Sequence, residues 1–271
     1  MQYKNKNNEK EKTTKYFDII SSKWSLPILF KEINNIPFNI FHIIPYYETN
    51  KFSVYGSPCF KWNSGRTGEL NLSLDFIKSN IKNFNSISIS CYLTFSSYWI
   101  KEQDLSNELG NNILTILNTY NINSINGAIL SSDLLTSYIR SNFPNLKLKC
   151  SLIKSVYENS NHDINWYNKM LDLYDIVVAH VDCPIDVLRK IKDFDKDRIE
   201  ILVNEDCIKN CPNRKICYKE QKDFSLKRSD YCIKYSSSNI ESCRLTKNEV
   251  QRLCDMGFKR FKLQGRETIS I

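Results

Sequence analysis

The sequence lacks a hydrophobic stretch long enough to cross a membrane. It has 271 residues, and none of its windows reaches the about 18 consecutive apolar residues that a spanning helix needs. The first fifteen residues, MQYKNKNNEKEKTTK, are polar and contain no apolar segment of the kind found in secretory signals. We therefore expect a cytoplasmic chain without a membrane partner, in which residues 1–15 form a disordered polar tail.

Several common catalytic motifs are also missing. The chain contains no HExxH, GxSxG or Walker pattern, so ordinary zinc protease, serine hydrolase and P-loop chemistry have no support. The histidines are only three, His42, His162 and His180, and none pairs with another at metal-ligand spacing. His180 ends a predicted buried strand, where it either faces the mouth of the fold or is a satisfied core or rim histidine.

The arrangement of apolar residues indicates an α/β fold. Hydrophobic residues make up 41% of the chain and charged residues 25%, which is typical of a globular protein. From residue 72 onward, β-branched runs alternate with segments of helical periodicity, and this alternation favours a parallel sheet. The predicted strands are 52–57, 86–95, 124–130, 146–153, 175–181, 198–204 and 258–264, the last followed by a glycine turn. The predicted helices are 72–84, 105–118, 133–142, 164–174, 186–191 and 246–257.

These elements favour a (β/α) TIM-type barrel, complete or incomplete. A doubly wound sheet fits less well, because no glycine-rich nucleotide loop follows an early strand. The segment Trp24 to Ile33 is interpreted as a short amphipathic element. We expect a single barrel domain over residues 16–271, with a cysteine-rich metal-binding segment at 204–243.

The cysteines are unevenly distributed. Four of the ten are scattered, at positions 59, 91, 150 and 183, while six lie between Cys207 and Cys254. Without a secretory signal, a reducing compartment is expected, and clustered cysteines there are more often metal ligands or catalytic groups than disulfides. Cys91 and Cys150 lie inside predicted strands, and Cys183 and Cys254 beside or within apolar elements, so we interpret these four as packing residues.

The segment NEDCIKNCPNRKICY, residues 204–218, contains the densest thiols. Thiolates suit zinc and iron–sulfur clusters, and four sulfurs suffice for either. The candidate ligands are Cys207, Cys211, Cys217, Cys232 and Cys243. The spacing is not that of a zinc ribbon, and it departs from the CxxxCxxC loop of radical S-adenosylmethionine enzymes.

Polar residues near predicted strand ends are further candidates for the site. Arg66 and Arg266 lie next to glycines and are suited to bind an anionic group. An equal alternative is that each forms a salt bridge with a neighbouring carboxylate in its loop. Glu205 is either an acid or base near the metal or a residue that fixes its loop. Arg214 either hydrogen-bonds cluster sulfur or is a surface charge. The net charge of +8 permits an acidic partner, although a solvated basic surface is the commoner meaning.

Three segments of the chain resemble the collagenase-like peptidase family U32, in particular its short members. They are VYGS through SGR (residues 54–66), LVNEDCIKNCPNRKICY (202–218) and MGFKRFKLQGR (256–266). With the order of strands and helices between them, the resemblance covers most of residues 50–271. It implies a [4Fe-4S] cluster on Cys207, Cys211, Cys232 and Cys243, with Cys217 as an alternative ligand. Zinc is the alternative metal that thiolate chemistry leaves open.

The resemblance also implies a range of functions. Members of the family act in oxygen-independent hydroxylation of RNA bases or of a quinone ring, and others occur beside peptide-modifying systems. We therefore expect an iron–sulfur modification enzyme acting on RNA, a peptide or an anionic small metabolite, with Glu205, Arg66 and Arg266 as catalytic candidates. The alternatives are a non-catalytic barrel with a structural metal clamp that serves as the partner of a modification enzyme, and a true peptidase.

Overall fold

Eight parallel strands close into a barrel in the order in which they occur along the chain, and β8 pairs with β1. The computed structural model describes residues 23–27, 29, 51–58, 61–63, 72–121, 125–205, 207–220 and 242–264. The strands are β1 (Lys23–Leu26), β2 (Phe52–Gly56), β3 (Ser90–Phe95), β4 (Gly127–Leu130), β5 (Lys147–Cys150), β6 (Ile176–Val178), β7 (Ile199–Leu202) and β8 (Arg260–Lys262). The prediction of a TIM-type barrel is confirmed, and the barrel is complete.

Helices connect the strands and cover the outside of the barrel. Those in the described ranges are α1 (Leu74–Ser86), α2 (Glu108–Thr119), α3 (Asp133–Asn142), α4 (Leu152–Glu158), α5 (Ile164–Leu173), α6 (Ile185–Leu188), α7 (Arg214–Glu220) and α8 (Lys247–Asp255). Two 3₁₀ turns, Glu102–Asp104 and Asp193–Arg198, lie before α2 and β7. The predicted tail at residues 1–15 lies outside the described residues.

The largest differences from the prediction are at β1 and at residues 146–153; in addition, α7 was not predicted, and Ser86, the predicted start of a strand, belongs to α1. The start of the segment that we interpreted as an amphipathic element forms β1, which pairs through Trp24 with Phe52 on one side and Phe261 on the other. The apolar run 146–153 is not one strand, because β5 ends at Cys150 and α4 begins at Leu152. Ser151 separates the two elements, and its hydroxyl accepts a hydrogen bond from the Ile153 amide at 3.2 Å.

Short polar side chains fix where the helices begin. Thr246 and Glu249 form the predicted capping box of α8, and Gly257 follows that helix with a positive φ of 96°. The predicted cap of α3, Asp133, is wrong by one residue. Ser132 is the capping residue, because its backbone is extended and its hydroxyl accepts from the Leu135 amide at 3.3 Å.

The main hydrophobic core lies between the outer face of the sheet and the helices. Trp24 of β1 packs on Phe261 of β8 with ring centroids 5.3 Å apart, and both side chains are buried. Trp62 is fully buried against α2. A Cβ atom added at Gly110 of α2 would stand 2.6 Å from the Trp62 ring, so the helix approaches the indole closely only because this residue is glycine.

A buried amide pair links α1 to the start of β4. Asn85 donates to Asn126 Oδ1 at 2.9 Å, and Asn126 donates back to Asn85 Oδ1 at 2.8 Å. Asn126 also accepts from the Cys91 amide and donates to the Leu117 carbonyl. The pair thereby satisfies backbone groups of β3 and α2 in a buried region.

The interior of the barrel contains both apolar and charged side chains. Tyr92, Ile129 and Ile176 form a separate buried group with Tyr55 packed against it. Lys149 of β5 and Glu200 of β7 make a buried ion pair at 2.6 Å across this interior. TIM barrels are usually filled by branched apolar residues, so charged groups here are unusual. No described helix is both long and apolar enough to span a membrane.

Candidate functional site

The carboxyl ends of β7 and β8 are joined by polar side chains at one edge of the barrel. Asn204 follows β7 and donates to the Gln264 carbonyl at 3.0 Å, while the Gln264 amide donates to Asn204 Oδ1 at 2.6 Å. In parallel barrels this edge carries the active site. The cysteine segment therefore leaves the barrel at the face where catalysis is expected.

Glu205 is fully buried and holds its loop in place. Its Oε1 accepts from the Cys207 amide at 3.1 Å, and its Oε2 accepts from Gln264 Nε2 at 2.6 Å. Both carboxylate oxygens are thus engaged with fixed donors. This arrangement favours the second of the two roles considered for Glu205, which is to fix the loop.

Cys207 and Cys243 are brought together by backbone pairing. The Cys243 amide donates to the Cys207 carbonyl at 2.9 Å, and Ile208 forms an antiparallel bridge with Ser242. Both cysteines are buried, with 7% and 3% of their surfaces exposed. Two candidate ligands separated by 36 positions in sequence therefore lie side by side at the rim of the barrel.

Arg214 lies beside these cysteines and is buried, so its interpretation as a surface charge is wrong. Its guanidinium donates to Asp182 Oδ2 at 2.8 and 3.1 Å and to the Ile208 carbonyl at 2.9 Å. Its Nη2 also lies 3.7 Å from Cys243 Sγ. Burial, the largest single effect, lowers the pKa of Arg214, but Asp182 and the neighbouring acidic groups together outweigh it and raise the pKa, so the group stays charged.

Asp182 connects the loop after β6 to the cysteine segment. Its Oδ1 accepts from the Asn210 amide at 3.0 Å and lies 3.4 Å from Cys243 Sγ. Burial, followed by the negative charge of Asp182, raises the pKa of the Cys243 thiol to about 12. Without a metal, this thiol therefore stays protonated at neutral pH, whereas coordination would displace its proton.

The remaining candidates occupy different positions. Cys211 lies in the loop before α7, where its carbonyl accepts from the Arg214 amide, and Cys217 lies within α7 and is buried. Cys232, Arg66 and Arg266 lie outside the described residues, as does Cys59. Cys91 and Cys150 are fully buried in β3 and β5, which confirms that they are packing residues. Cys183 and Cys254 are partly buried against the main core.

The two described histidines meet, which the sequence did not indicate. The rings of His162 and His180 are 4.8 Å apart in an edge-to-face arrangement. His180 is buried, and its Nδ1 accepts from the Asp182 amide at 3.1 Å. Burial lowers the pKa of His180 to about 4, so the ring is neutral at physiological pH. It is therefore a neutral histidine at the rim, with a fixed partner for Nδ1.

A cavity of about 330 Å³ lies beside Cys243. It runs between the ends of β6 and β7 and the helices α6 and α8, and its wall is mostly apolar. The polar groups at its edge include His180, Asp182, Lys209 and Arg252. A small molecule in this cavity would lie next to a candidate metal ligand.

The described cysteine thiols are the right kind of ligand for an iron–sulfur cluster, but too few of them are grouped together to hold one. Buried thiols suit soft metals, and the Nη1 atom of Arg214 is a buried donor without a hydrogen-bond partner among the described residues. A cation beside sulfur offsets the negative charge of a thiolate-bound cluster. However, no three Cys, His, Asp or Glu side chains in the described ranges are grouped so that they could hold a metal ion. Cys207, Cys211 and Cys243 all lie within those ranges, so the structure does not gather these three predicted ligands around one point. Cys232 lies outside the described residues.

These features define a class of protein, an eight-stranded (β/α) barrel with a cysteine-rich excursion between β7 and β8. No family model matches the chain, and no curated protein matches it in sequence. Among solved structures, the chain is similar in fold to the U32 peptidase Mk0906, with a TM-score of 0.51 and 9% sequence identity. The similarity covers 92% of this chain and 94% of that one. At this identity the likeness shows the U32 peptidase fold, and it does not assign an activity.

Proposed function

We propose that this chain is an iron–sulfur protein of the U32 peptidase type, with a [4Fe-4S] cluster bound by Cys207, Cys211, Cys232 and Cys243. Cys217 is the alternative fourth ligand. The observation that carries the proposal is the hydrogen bond between the Cys243 amide and the Cys207 carbonyl beside the buried guanidinium of Arg214. The U32-like fold also supports the proposal, because it agrees with the resemblance of the cysteine segment to that family in sequence.

The residues around the two cysteines have distinct roles in this proposal. Arg214 supplies a positive charge to the sulfur side of the site, and Asp182 holds that guanidinium in place through two hydrogen bonds. Glu205 orients the Cys207 backbone through its amide. A hydrogen-bond donor next to a coordinating sulfur raises the reduction potential of a cluster, so Arg214 tunes the centre and Asp182 positions Arg214.

The proposed activity is an oxygen-independent modification, similar to hydroxylation, of RNA, a peptide or a small metabolite. When bound, the cluster supplies one-electron redox chemistry at the rim of the barrel. The cavity beside Cys243 is the proposed place for the reacting part of the substrate. Its apolar wall favours a flat or aliphatic group, and Lys209 and Arg252 at its edge favour a nearby anionic group.

Anaerobic purification of the full chain, followed by visible absorption and by iron and sulfide analysis, tests the cluster. A brown protein with about four iron and four sulfide per chain supports it. Single serine substitutions at Cys207, Cys211, Cys217, Cys232 and Cys243 then identify the ligands. Cys254→Ser is the matched control, because Cys254 lies within α8 and packs against the core, and we expect the variant to retain the metal. Loss of metal on changing Cys217 but not Cys243 would overturn the proposed ligand set.

The second candidate is a structural zinc site that fixes the cysteine segment. It is favoured because Arg214 and the pairing of Cys243 with Cys207 also fix this segment to the barrel. A colourless protein containing one zinc per chain would support it over the cluster. Cysteine-peptidase chemistry is not favoured by the surroundings of Cys243. That chemistry needs a thiolate, whereas burial and Asp182 raise the pKa of this thiol to about 12.

A further inference from the structure

The interior of the barrel holds a charged group of residues that the cysteine segment does not use. Lys149 donates to Glu200 Oε1 at 2.6 Å and to Ser25 Oγ at 3.1 Å, and Ser25 also donates to Glu200 at 2.6 Å. These residues come from β5, β7 and β1, which are not adjacent strands, so their side chains meet only across the interior. Together with Lys262 of β8 we call them the interior cluster.

The two lysines of the interior cluster differ in how well they are satisfied. The ammonium of Lys149 has a carboxylate and a hydroxyl as partners and lies 4.3 Å above the Tyr92 ring. Lys262 Nζ lies 3.9 Å above the centre of the Tyr55 ring, and the described residues offer it no hydrogen-bond acceptor and no ion-pair partner. Only 8% of Lys262 is exposed. A buried ammonium without an acceptor loses its proton more readily than one in a salt bridge, because burial lowers its pKa and no carboxylate raises it again.

The surroundings of Lys262 act in the same direction. Burial lowers its pKa to about 8, Glu200 opposes that shift, and the charge of Lys149 adds to it. A sizeable fraction of the side chain is therefore the neutral amine near physiological pH. Glu200 Oε2 is buried and has no hydrogen-bond partner among the described residues, so a second proton-accepting atom of the interior cluster is available.

The inward face of β2 borders the interior cluster. Its inward side chains, Ser53 and Tyr55, are only half-buried, whereas the outward Val54 between them is completely buried. Ser53 Oγ lies 2.8 Å from Ser25 Oγ, which in turn contacts Glu200. The partly exposed, inward side chains of β2 therefore contact the interior cluster, and this is the side from which a small molecule would reach it.

We propose that Lys262 is a nucleophilic amine that forms an imine with a small aldehyde or ketone inside the barrel. The neutral Nζ attacks the carbonyl carbon to form a C–N bond, and the carbonyl oxygen takes up a proton. The carbon–oxygen bond then breaks and the oxygen leaves as water. The two hydrogens of this water are equivalent to the two protons that the amine loses. Glu200 accepts the proton released from nitrogen and returns it to the departing oxygen. The step needs no oxidant or reductant.

Trapping with a hydride donor tests this proposal. The full chain, purified without oxygen, is incubated at pH 7.5 with glycolaldehyde or pyruvate and sodium cyanoborohydride, which reduces the imine to a stable amine. Peptide mapping by mass spectrometry then locates the adduct. We expect Lys262 to be labelled at least about tenfold faster than any exposed lysine, because the neutral fraction of those lysines is far smaller at this pH.

Three variants sharpen the test. Lys262→Arg keeps the positive charge and must lose the adduct, whereas Lys259→Met removes an exposed lysine three residues away and must keep it. Lys149→Met removes the neighbouring charge, so the pKa of Lys262 rises, and labelling must fall at pH 7.5 and recover at pH 9. The proposal is overturned if the unmodified chain is labelled only at exposed lysines between pH 7 and 9. That outcome needs no variant, and none of these measurements depends on bound iron.

Discussion

The guanidinium of Arg214 donates two hydrogen bonds to the same oxygen of Asp182, from Nη2 at 2.8 Å and from Nε at 3.1 Å. The two side chains are 4% and 5% exposed, so this is a buried ion pair. It joins α7 to the loop after β6, 32 positions earlier in the chain.

Arg214→Gln should destabilise the protein by about 3–5 kcal/mol, because it leaves the buried carboxylate of Asp182 without a compensating charge. Urea unfolding followed by circular dichroism measures the change. Arg189→Gln is the matched control, since Arg189 pairs with Asp186 at 2.9 Å on the surface. That pair is worth less than about 1 kcal/mol. Equal losses from the two substitutions would contradict the assignment of Arg214 as a buried structural cation.

Asn126→Ala should cost at least about 2 kcal/mol, because it removes both hydrogen bonds to Asn85 and leaves the Cys91 amide and the Leu117 carbonyl without this partner. Thermal or urea unfolding reports the loss. Asn83→Ala changes an exposed residue of α1, two positions from Asn85, and should alter stability by less than about 0.5 kcal/mol. A small effect at Asn126 would mean that water replaces the lost partners.

Gly110→Ala should destabilise the protein although alanine is the better helix former. Intrinsic propensity favours alanine by about 1 kcal/mol, but the new Cβ would stand 2.6 Å from the buried Trp62 ring. Overpacking of this kind costs about 1–3 kcal/mol, so the net change is unfavourable. Asn112→Ala, on the exposed face of the same helix, should be neutral or stabilising. Equal stabilisation by both substitutions would show that Trp62 moves aside.

Stability should rise with pH between about 8 and 10.5 through Lys262. Its pKa is lowered in the folded protein to about 8 from an ordinary value of 10.5, so the unfolded chain binds more protons in this window. The contribution approaches about 1.4 kcal/mol per pH unit at most. Lys262→Met should remove this slope and stabilise the protein at pH 7, where the buried ammonium is unfavourable. The difference between wild-type and variant unfolding curves, measured at several pH values, isolates the effect from other titrating groups.

If the stability of Lys262→Met rose with pH as steeply as that of the wild type, a group other than Lys262 would be responsible for the titration. Lys259→Met serves as the control, because Lys259 is exposed and its removal should leave the pH dependence of the wild type intact.

Most of the barrel could be predicted because its elements carry strong local signals. The helix beginning at Thr246 was predicted with its capping box and its terminal glycine, since both depend on residues a few positions apart. β1 was missed because only Lys23–Leu26 is extended and Pro27 follows at once, which leaves too few residues for a periodic pattern. Its identity as a strand depends on pairing with β2 and β8, which local sequence does not encode.

The candidate site was predicted less completely than the fold. The rim position of Cys207 followed from its place after β7, but the pairing of Cys243 with it depends on a return of the chain that no spacing rule describes. The interior cluster was missed although a signal was present. In both LKLKC and RIEIL, charged residues alternate with apolar ones inside strands that must be buried on their outer face. Such alternation in a barrel strand points to a polar interior.

The antiparallel bridge between Ile208 and Ser242 closes the excursion between β7 and β8 at its base. Because the chain departs and returns at neighbouring points, the distance between the two strands is independent of how many residues the excursion contains. Insertions or deletions that spare the proposed cysteine ligands and Arg214 can thus alter what the rim recognises while the barrel itself keeps its register. We expect those parts of the excursion to be the ones that evolution, or a protein engineer, can exchange most freely.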